Sequence, residues 1–138
     1  MRVHGDHRIF EELASARAML LEAAASHNMS PAELSGETVF QWALGGDADA
    51  VLAIEHMVDN LSEGLATVCC LLNPAVIVLG GGLSNVSQIY RDLPAAIVPW
   101  IFSDSCRTQI KPARFGDASG VRGAAWLPRL PGAADGPR

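Results

Sequence analysis

The sequence predicts an α/β fold that is mostly helical and carries two short strands. Three observations support this. Val51, Ile54, Val58, Leu61, Leu65, Val68 and Leu72 recur at steps of three and four, which describes one long amphipathic helix. The run AVIVL at residues 75–79 is short, apolar and without alternation, as in a strand buried on both faces of a parallel sheet. TQIKPA at residues 108–113 reads as a second, weaker strand, which Pro112 assigns to an edge or a strand end.

The remaining elements follow in chain order. Residues 11–27, EELASARAMLLEAAASH, are rich in Ala, Leu and Glu and align Leu13, Ala16, Leu20 and Ala24 on one helical stripe. Ser30-Pro31-Ala32-Glu33 combines an N-cap serine, a proline at the first helical position and a glutamate at the third, so a short helix starts there. Residues 38–44 form another, stopped by Gly45-Gly46. Asp47 is the N-cap of the long helix. Asn73-Pro74 ends that helix, because proline disfavours helical backbone in the residue before it. His56, beside Glu55 and off the stripe, reads as a solvated histidine. Residues 85–98 form a helix that Pro94 ends or kinks. A final helix runs from Ala118, with small residues suited to close packing. Residues 128–138, PRLPGAADGPR, are rich in proline and glycine and read as a disordered tail, so residues 1–127 constitute the folded unit.

Composition narrows the function. The chain has 138 residues, 49% hydrophobic and 18% charged, enough for one domain that buries roughly two-thirds of its unfolded surface. The net charge of −5, from 10 Lys+Arg against 15 Asp+Glu without a basic run, provides no footprint for nucleic acid or an anionic membrane. The N-terminal residues lack the apolar core of a signal peptide, and no stretch reaches the roughly 20 apolar residues that span a bilayer, so a cytoplasmic protein is expected. Cys69, Cys70 and Cys106 form neither a disulfide framework nor a C-x-x-C pair and read as buried reduced thiols.

Gly80-Gly81-Gly82 follow the first strand directly. The pattern is not G-x-G-x-x-G, since Asn85 stands at the sixth position, and the Gly-Lys-Ser/Thr ending of a P-loop is absent. Glycine leaves backbone bare, so a flat ring can lie against it and positive φ angles are accessible. Taken alone, a ligand-free turn between strand and helix explains such a cluster as well as a nucleotide site does.

LNPAVIVLGGGLSN, followed by FGDASGVRGAAWL at residues 115–127, resembles the C-terminal part of the ROK family of bacterial sugar kinases and sugar-responsive repressors. Within it the match is to the fructokinase and N-acetylglucosamine kinase branch, and it spans residues 2–127. The resemblance implies part of an actin-like ATPase (ribonuclease H-like) fold, namely its C-terminal lobe, with sugar and ATP between two lobes. It implies that Gly80, Gly81 and Gly82 lie along adenine and ribose, and that Ser84 and Asn85 start the next helix, with Ser84 as its N-cap.

Family members carry C-x-C-G-x-x-G-C-x-E near this point, with zinc on the cysteines and the sugar on the glutamate. Here residues 2–11 read RVHGDHRIFE. Gly5 and Glu11 match, while Arg2, His4 and Ile9 replace the cysteines, so the zinc site is lost and His4 and His7 read as surface histidines. Glu11 is the candidate sugar contact, because a carboxylate accepts hydrogen bonds from hydroxyls; an acidic residue in a first helical turn needs no sugar, however.

The 138 residues contain no D-x-G-G-T phosphate loop, no N-D segment with a catalytic aspartate and no E-x-G-H motif. Asp117 reads as a turn or cap residue, and no residue qualifies as catalytic. The resemblance thus implies the C-terminal part of a sugar kinase using ATP with Mg, inactive alone because phosphoryl transfer needs those absent groups. A sugar-sensing repressor fragment and a noncatalytic oligomerisation remnant are the alternatives. Family members commonly dimerise, and the Val51 to Leu72 stripe, short of sheet to cover it, predicts self-association.

Overall fold

The computed structural model describes residues 10–126 except 104. His4, His7, the zinc-like segment before Phe10 and the tail expected at 128–138 therefore lie outside the described residues. Among those described, no helix is long and apolar enough to cross a membrane.

The single helix expected over residues 11–27 is two: α1 (Phe10–Leu13) and α2 (Ala16–Ser26). Ser15 makes the break, because its backbone is extended and its hydroxyl accepts the Ala18 N–H at 3.2 Å, capping α2. Of the expected stripe Leu13 and Ala24 are buried and Ala16 and Leu20 half-buried, while Met19 and Ala23 are buried as well, so the inner face of α2 is shifted toward them. Ser30 and Glu33 form the expected reciprocal capping box, though the turn they start, Pro31–Glu33, is a single 3-10 turn. α3 (Gly36–Leu44) begins two residues before the expected start, where the Ser35 hydroxyl accepts the Thr38 N–H at 3.1 Å. It ends at Gly45-Gly46, where Gly46 has φ of 90°.

α4 (Ala48–Leu72) is the axis of the molecule. Asp47 Oδ1 accepts the Ala50 N–H at 2.8 Å, and the helix closes at Asn73, left-handed at φ 43°, just before Pro74. α1, α2 and α3 pack against it. Its buried positions are Ala50, Ala53, Met57, Leu61, Ser62, Gly64, Leu65, Ala66 and Cys69, whereas Val51, Ile54 and Val58 are half-buried and Val68 and Leu72 are exposed. The predicted stripe followed the largest apolar side chains. The packed face keeps Leu61 and Leu65 from that stripe and adds Met57 with small residues, Ala50, Ala53, Gly64 and Ala66, which let neighbouring helices come close, while the C-terminal end of the stripe at Val68 and Leu72 stays uncovered.

β1 (Val76–Leu79) leads through a turn to α5 (Ser87–Ile97), and β2 (Gln109–Pro112) then pairs with β1 in parallel, Val76 opposite Gln109 and Leu79 opposite Pro112. Pro112 cannot donate, and Ala113 N–H bonds to Leu79 O at 2.8 Å instead, consistent with the expected strand end. β1 is not buried on both faces: Ile77 and Leu79 point inward, while Val76 and Val78 are 45% and 58% exposed. Pro94 neither ends nor visibly breaks α5, because Ile89, Leu93 and Ile97, spaced by four and fully buried against the core that includes α4, hold the helix on both sides of it. Burial of each such side chain contributes about 2 kcal/mol, enough to outweigh one missing backbone bond. α6 (Ser119–Trp126) forms where expected, but its residues beyond Ser119 are exposed, and a methyl on Gly120 or Gly123 would meet nothing. Its small residues therefore pack against nothing among the described residues.

Candidate functional site

β1 and β2 run parallel, so the segments leaving them emerge on one side of the sheet. Gly80-Gly81-Gly82 leave β1 there, and Ala113-Arg114-Phe115-Gly116 leave β2. The carboxyl ends of parallel strands are where α/β folds bind ligands. The 3-10 turns Gly81–Asn85 and Gly116–Ala118 pack together at this edge, joining segments more than thirty residues apart.

The three glycines differ in what surrounds them, and only Gly81 is required by the backbone. Gly81 has φ of 71°, a conformation that L side chains rarely adopt. A methyl built on Gly80 or Gly81 would meet no atom within 4 Å, so that stretch of backbone faces open space. Gly82 is different, because its methyl would lie 3.5 Å from Ala16 Cβ, at the start of α2. The turn therefore leans on α2 at Gly82 and is bare at Gly80 and Gly81, as a flat ligand would require.

Ser84 does not cap α5. Val86 stands at that position, without a side-chain cap, and α5 begins at Ser87 rather than at Ser84-Asn85. The Ser84 hydroxyl is buried and donates to Gly81 O at 2.7 Å, closing the glycine turn on itself. Tyr90 Oη donates to Ser84 O at 3.0 Å, and burial raises the phenol pKa, keeping the donor proton in place. Sequence reasoning missed Tyr90, since nothing in its spacing from Ser84 indicates this bond.

Phe115 was also missed as an individual residue. It is 49% exposed at the start of the Gly116–Ala118 turn, with the Arg122 guanidinium 4.0 Å and that of Arg114 5.6 Å from its ring centre. Asp117 lies within that turn, as expected of a turn residue.

Glu11 is exposed on α1, five residues before the Ala16 that meets Gly82. Glu11 is thus close in sequence to the start of α2 that Gly82 faces, and its side chain is open to solvent. His56 is solvated as expected, its Nδ1 2.7 Å from Glu22 Oε1. The cysteines are free thiols as expected and Cys69 is buried, but Cys106 is only half-buried and Cys70 is exposed.

A profile described as the ROK family matches residues 4–129. An N-acetyl-D-glucosamine kinase of Pasteurella multocida is 37% identical over 100 residues, 72% of this chain and 33% of that protein. The N-acetyl-D-glucosamine kinase of Photobacterium profundum is 43% identical over 82 residues, 59% of this chain and 27% of its own. A ROK family glucokinase from Streptomyces griseus, solved in complex with glucose and AMPPNP, superposes with a TM-score of 0.72 at 24% identity, over 89% of this chain and 45% of that one. A ROK family protein from Streptococcus pneumoniae, solved in complex with sucrose, superposes with a TM-score of 0.77 at 22% identity, over 94% and 46%. The chain spans a third or less of these curated relatives and under half of these solved chains.

Proposed function

Because this chain belongs to the ROK family and shares its actin-like ATPase fold, we propose that it forms the adenosine-facing part of an ATP-dependent sugar kinase. The observation that carries this reading is the bare backbone of Gly80 and Gly81 at the carboxyl edge of a parallel sheet. Adenine and ribose lie along Gly80, Gly81 and Gly82, whose turn Ser84 and Tyr90 hold in shape. Glu11 accepts hydrogen bonds from the hexose hydroxyls. Within the fructokinase and hexosamine kinase branch, the named relatives favour an N-acetylhexosamine.

The residues present fit the nucleoside half of ATP better than its phosphates. Bare glycine backbone suits a flat ring and ribose, whereas the phosphate loop, the Mg-bearing groups and the general-base aspartate of the family pattern have no counterpart in these 138 residues. By itself the chain binds nucleotide and does not transfer phosphate.

Calorimetric titration of AMPPNP into the 138-residue chain tests this. Gly80 lacks a positive φ, and its methyl would meet nothing in the protein, so Gly80→Ala folds as the parent does. Where adenosine occupies that space, the substitution weakens binding about tenfold, or about 1.4 kcal/mol. Absence of binding at millimolar nucleotide reduces the glycines to a structural turn. Phosphorylation of a hexose by the isolated chain, lost in Glu11→Ala, would overturn its inactivity.

A further inference from the structure

A second locus lies at the opposite end of the sheet from the glycine turn. A cavity of about 400 Å³ opens where β1 and β2 begin, lined by Cys69, Cys70, Phe102, Cys106, Arg107 and Thr108 among others. It brings together all three cysteines of the chain, although Cys106 is 37 residues from Cys69 in sequence.

Two of them are aligned in a relay. The Cys106 thiol donates to Cys69 Sγ at 3.9 Å, the Cys69 thiol donates to Thr108 Oγ1 at 3.6 Å, and the Thr108 hydroxyl donates to Pro74 O at 2.8 Å. Pro74 lies two residues before β1 and Thr108 one before β2, and Gln109 N–H bonds to Ala75 O at 3.1 Å. The sulfur pair is thus held by the same backbone segments that start the sheet. The two sulfurs, 3.9 Å apart on these anchored segments, have to close to about 2 Å to bond.

We propose that Cys69 and Cys106 form a redox-active dithiol, converted by hydroperoxides to an intramolecular disulfide that ties the last turns of α4 to the start of β2. Cys106 reacts first, because it is half-buried on a cavity open to solvent at Cys70 and Phe102. Its sulfur attacks the distal peroxide oxygen and the O–O bond breaks. The leaving oxygen takes up the proton that the thiol gave up, producing a sulfenic acid and an alcohol, or water when the oxidant is hydrogen peroxide. Cys69 then attacks the sulfenic sulfur. The S–S bond forms, the S–O bond breaks, and hydroxide leaves with the Cys69 proton as water. In sum, two thiols are oxidised and one peroxide is reduced. Burial raises the Cys69 thiol pKa, which disfavours Cys69 as the first nucleophile toward peroxide. Neither cysteine lies on the glycine edge, so the site is separate from the proposed nucleotide contacts.

Peptide mapping decides it. The purified chain is treated with hydrogen peroxide, remaining thiols are alkylated, and trypsin cuts after Arg17, Arg91 and Arg107, separating residues 18–91 from 92–107. The expected product runs as a single chain on a non-reducing denaturing gel and has these peptides linked, with the mass of two hydrogens lost and one alkylated cysteine left. Dithiothreitol reverses the link. Cys70→Ser, an exposed conservative change, retains it, and Cys69→Ser abolishes it. A link that survives in Cys69→Ser and disappears in Cys70→Ser overturns the pairing. So does accumulation of sulfinic or sulfonic acid on Cys106 with no link formed.

Discussion

Gly64 makes a prediction whose sign depends on one neighbour. It is buried on α4 beneath Phe10, and a methyl built there would overlap Cε2 and Cζ of the Phe10 ring and lie 3.1 Å from Cδ2. Gly64→Ala therefore forces the ring to shift, and with it α1, the short helix that carries Glu11. Two terms oppose each other. Alanine in a helix interior is favoured over glycine by about 1 kcal/mol. Overpacking a filled contact costs roughly 2 kcal/mol. The net is a destabilisation of about 1 kcal/mol, or about 4 °C in melting temperature for a chain of this size. In a Phe10→Ala background the clash is gone, and the same substitution stabilises by about 1 kcal/mol through helix propensity. Urea unfolding followed by circular dichroism on the four proteins of the cycle then yields a coupling of about 2 kcal/mol. If Gly64→Ala stabilised equally in both backgrounds, Phe10 would not be seated on Gly64, and the docking of α1 on α4 would be wrong.

Two further outcomes are expected. The ring nitrogens of His27 both face acceptors, Nε2 at 2.9 Å from Asp47 Oδ2 and Nδ1 at 2.9 Å from Ala23 O, with Trp42 stacked on the ring at 4.5 Å. Chiefly the Asp47 bond, and next the Ala23 carbonyl, raise the His27 pKa above 6.5. Its contribution to stability is complete below 6.5 and is lost as pH rises through the raised value. Asp47 is displaced the other way, first by the Ala50 N–H and then by His27, so its contribution holds above 3.8 and is lost only as pH falls through the lowered value. Melting temperature followed from pH 6.5 upward should fall in the parent and stay flatter in His27→Gln; equal slopes would remove His27 as the cause. The exposed apolar residues Leu71, Leu72, Val76 and Val78, at the end of α4 and on the outer face of β1, predict self-association at micromolar concentration. Sedimentation velocity should show Val78→Lys to be less associated, and a monomeric parent would contradict this.

Much of the local structure was legible because its causes are local. Ser30 and Glu33, Gly45-Gly46, Asp47 and Asn73-Pro74 each start or stop an element through groups a few residues away, and each does so in the fold. The Ser15 cap was missed because the Ala- and Leu-rich run on either side of it reads as continuous helix. Burial was harder to read. The side-chain sizes on α4 indicated one stripe, and contacts with α1, α2, α3 and α5 kept its Leu61 and Leu65 and shifted the rest of the face onto Ala50, Ala53 and Gly64. β1 read as buried on both faces from its apolar run, yet which faces are covered depends on neighbours far away in the chain.

The same division holds at the candidate site. Sequence alone located the glycine turn after β1 and excluded the dinucleotide and P-loop patterns, because those depend on residue type at fixed spacing. Tertiary structure decided which glycines are bare and which one leans on Ala16. It also decided that Ser84 closes the turn and does not cap a helix, that Phe115 stands at the same edge, and that Cys69 meets Cys106. The Gly82–Ala16, Phe115 and Cys69–Cys106 placements join positions that the chain separates by tens of residues. Ser84 bonds back three residues, but only the fold revealed which of two local partners its hydroxyl takes.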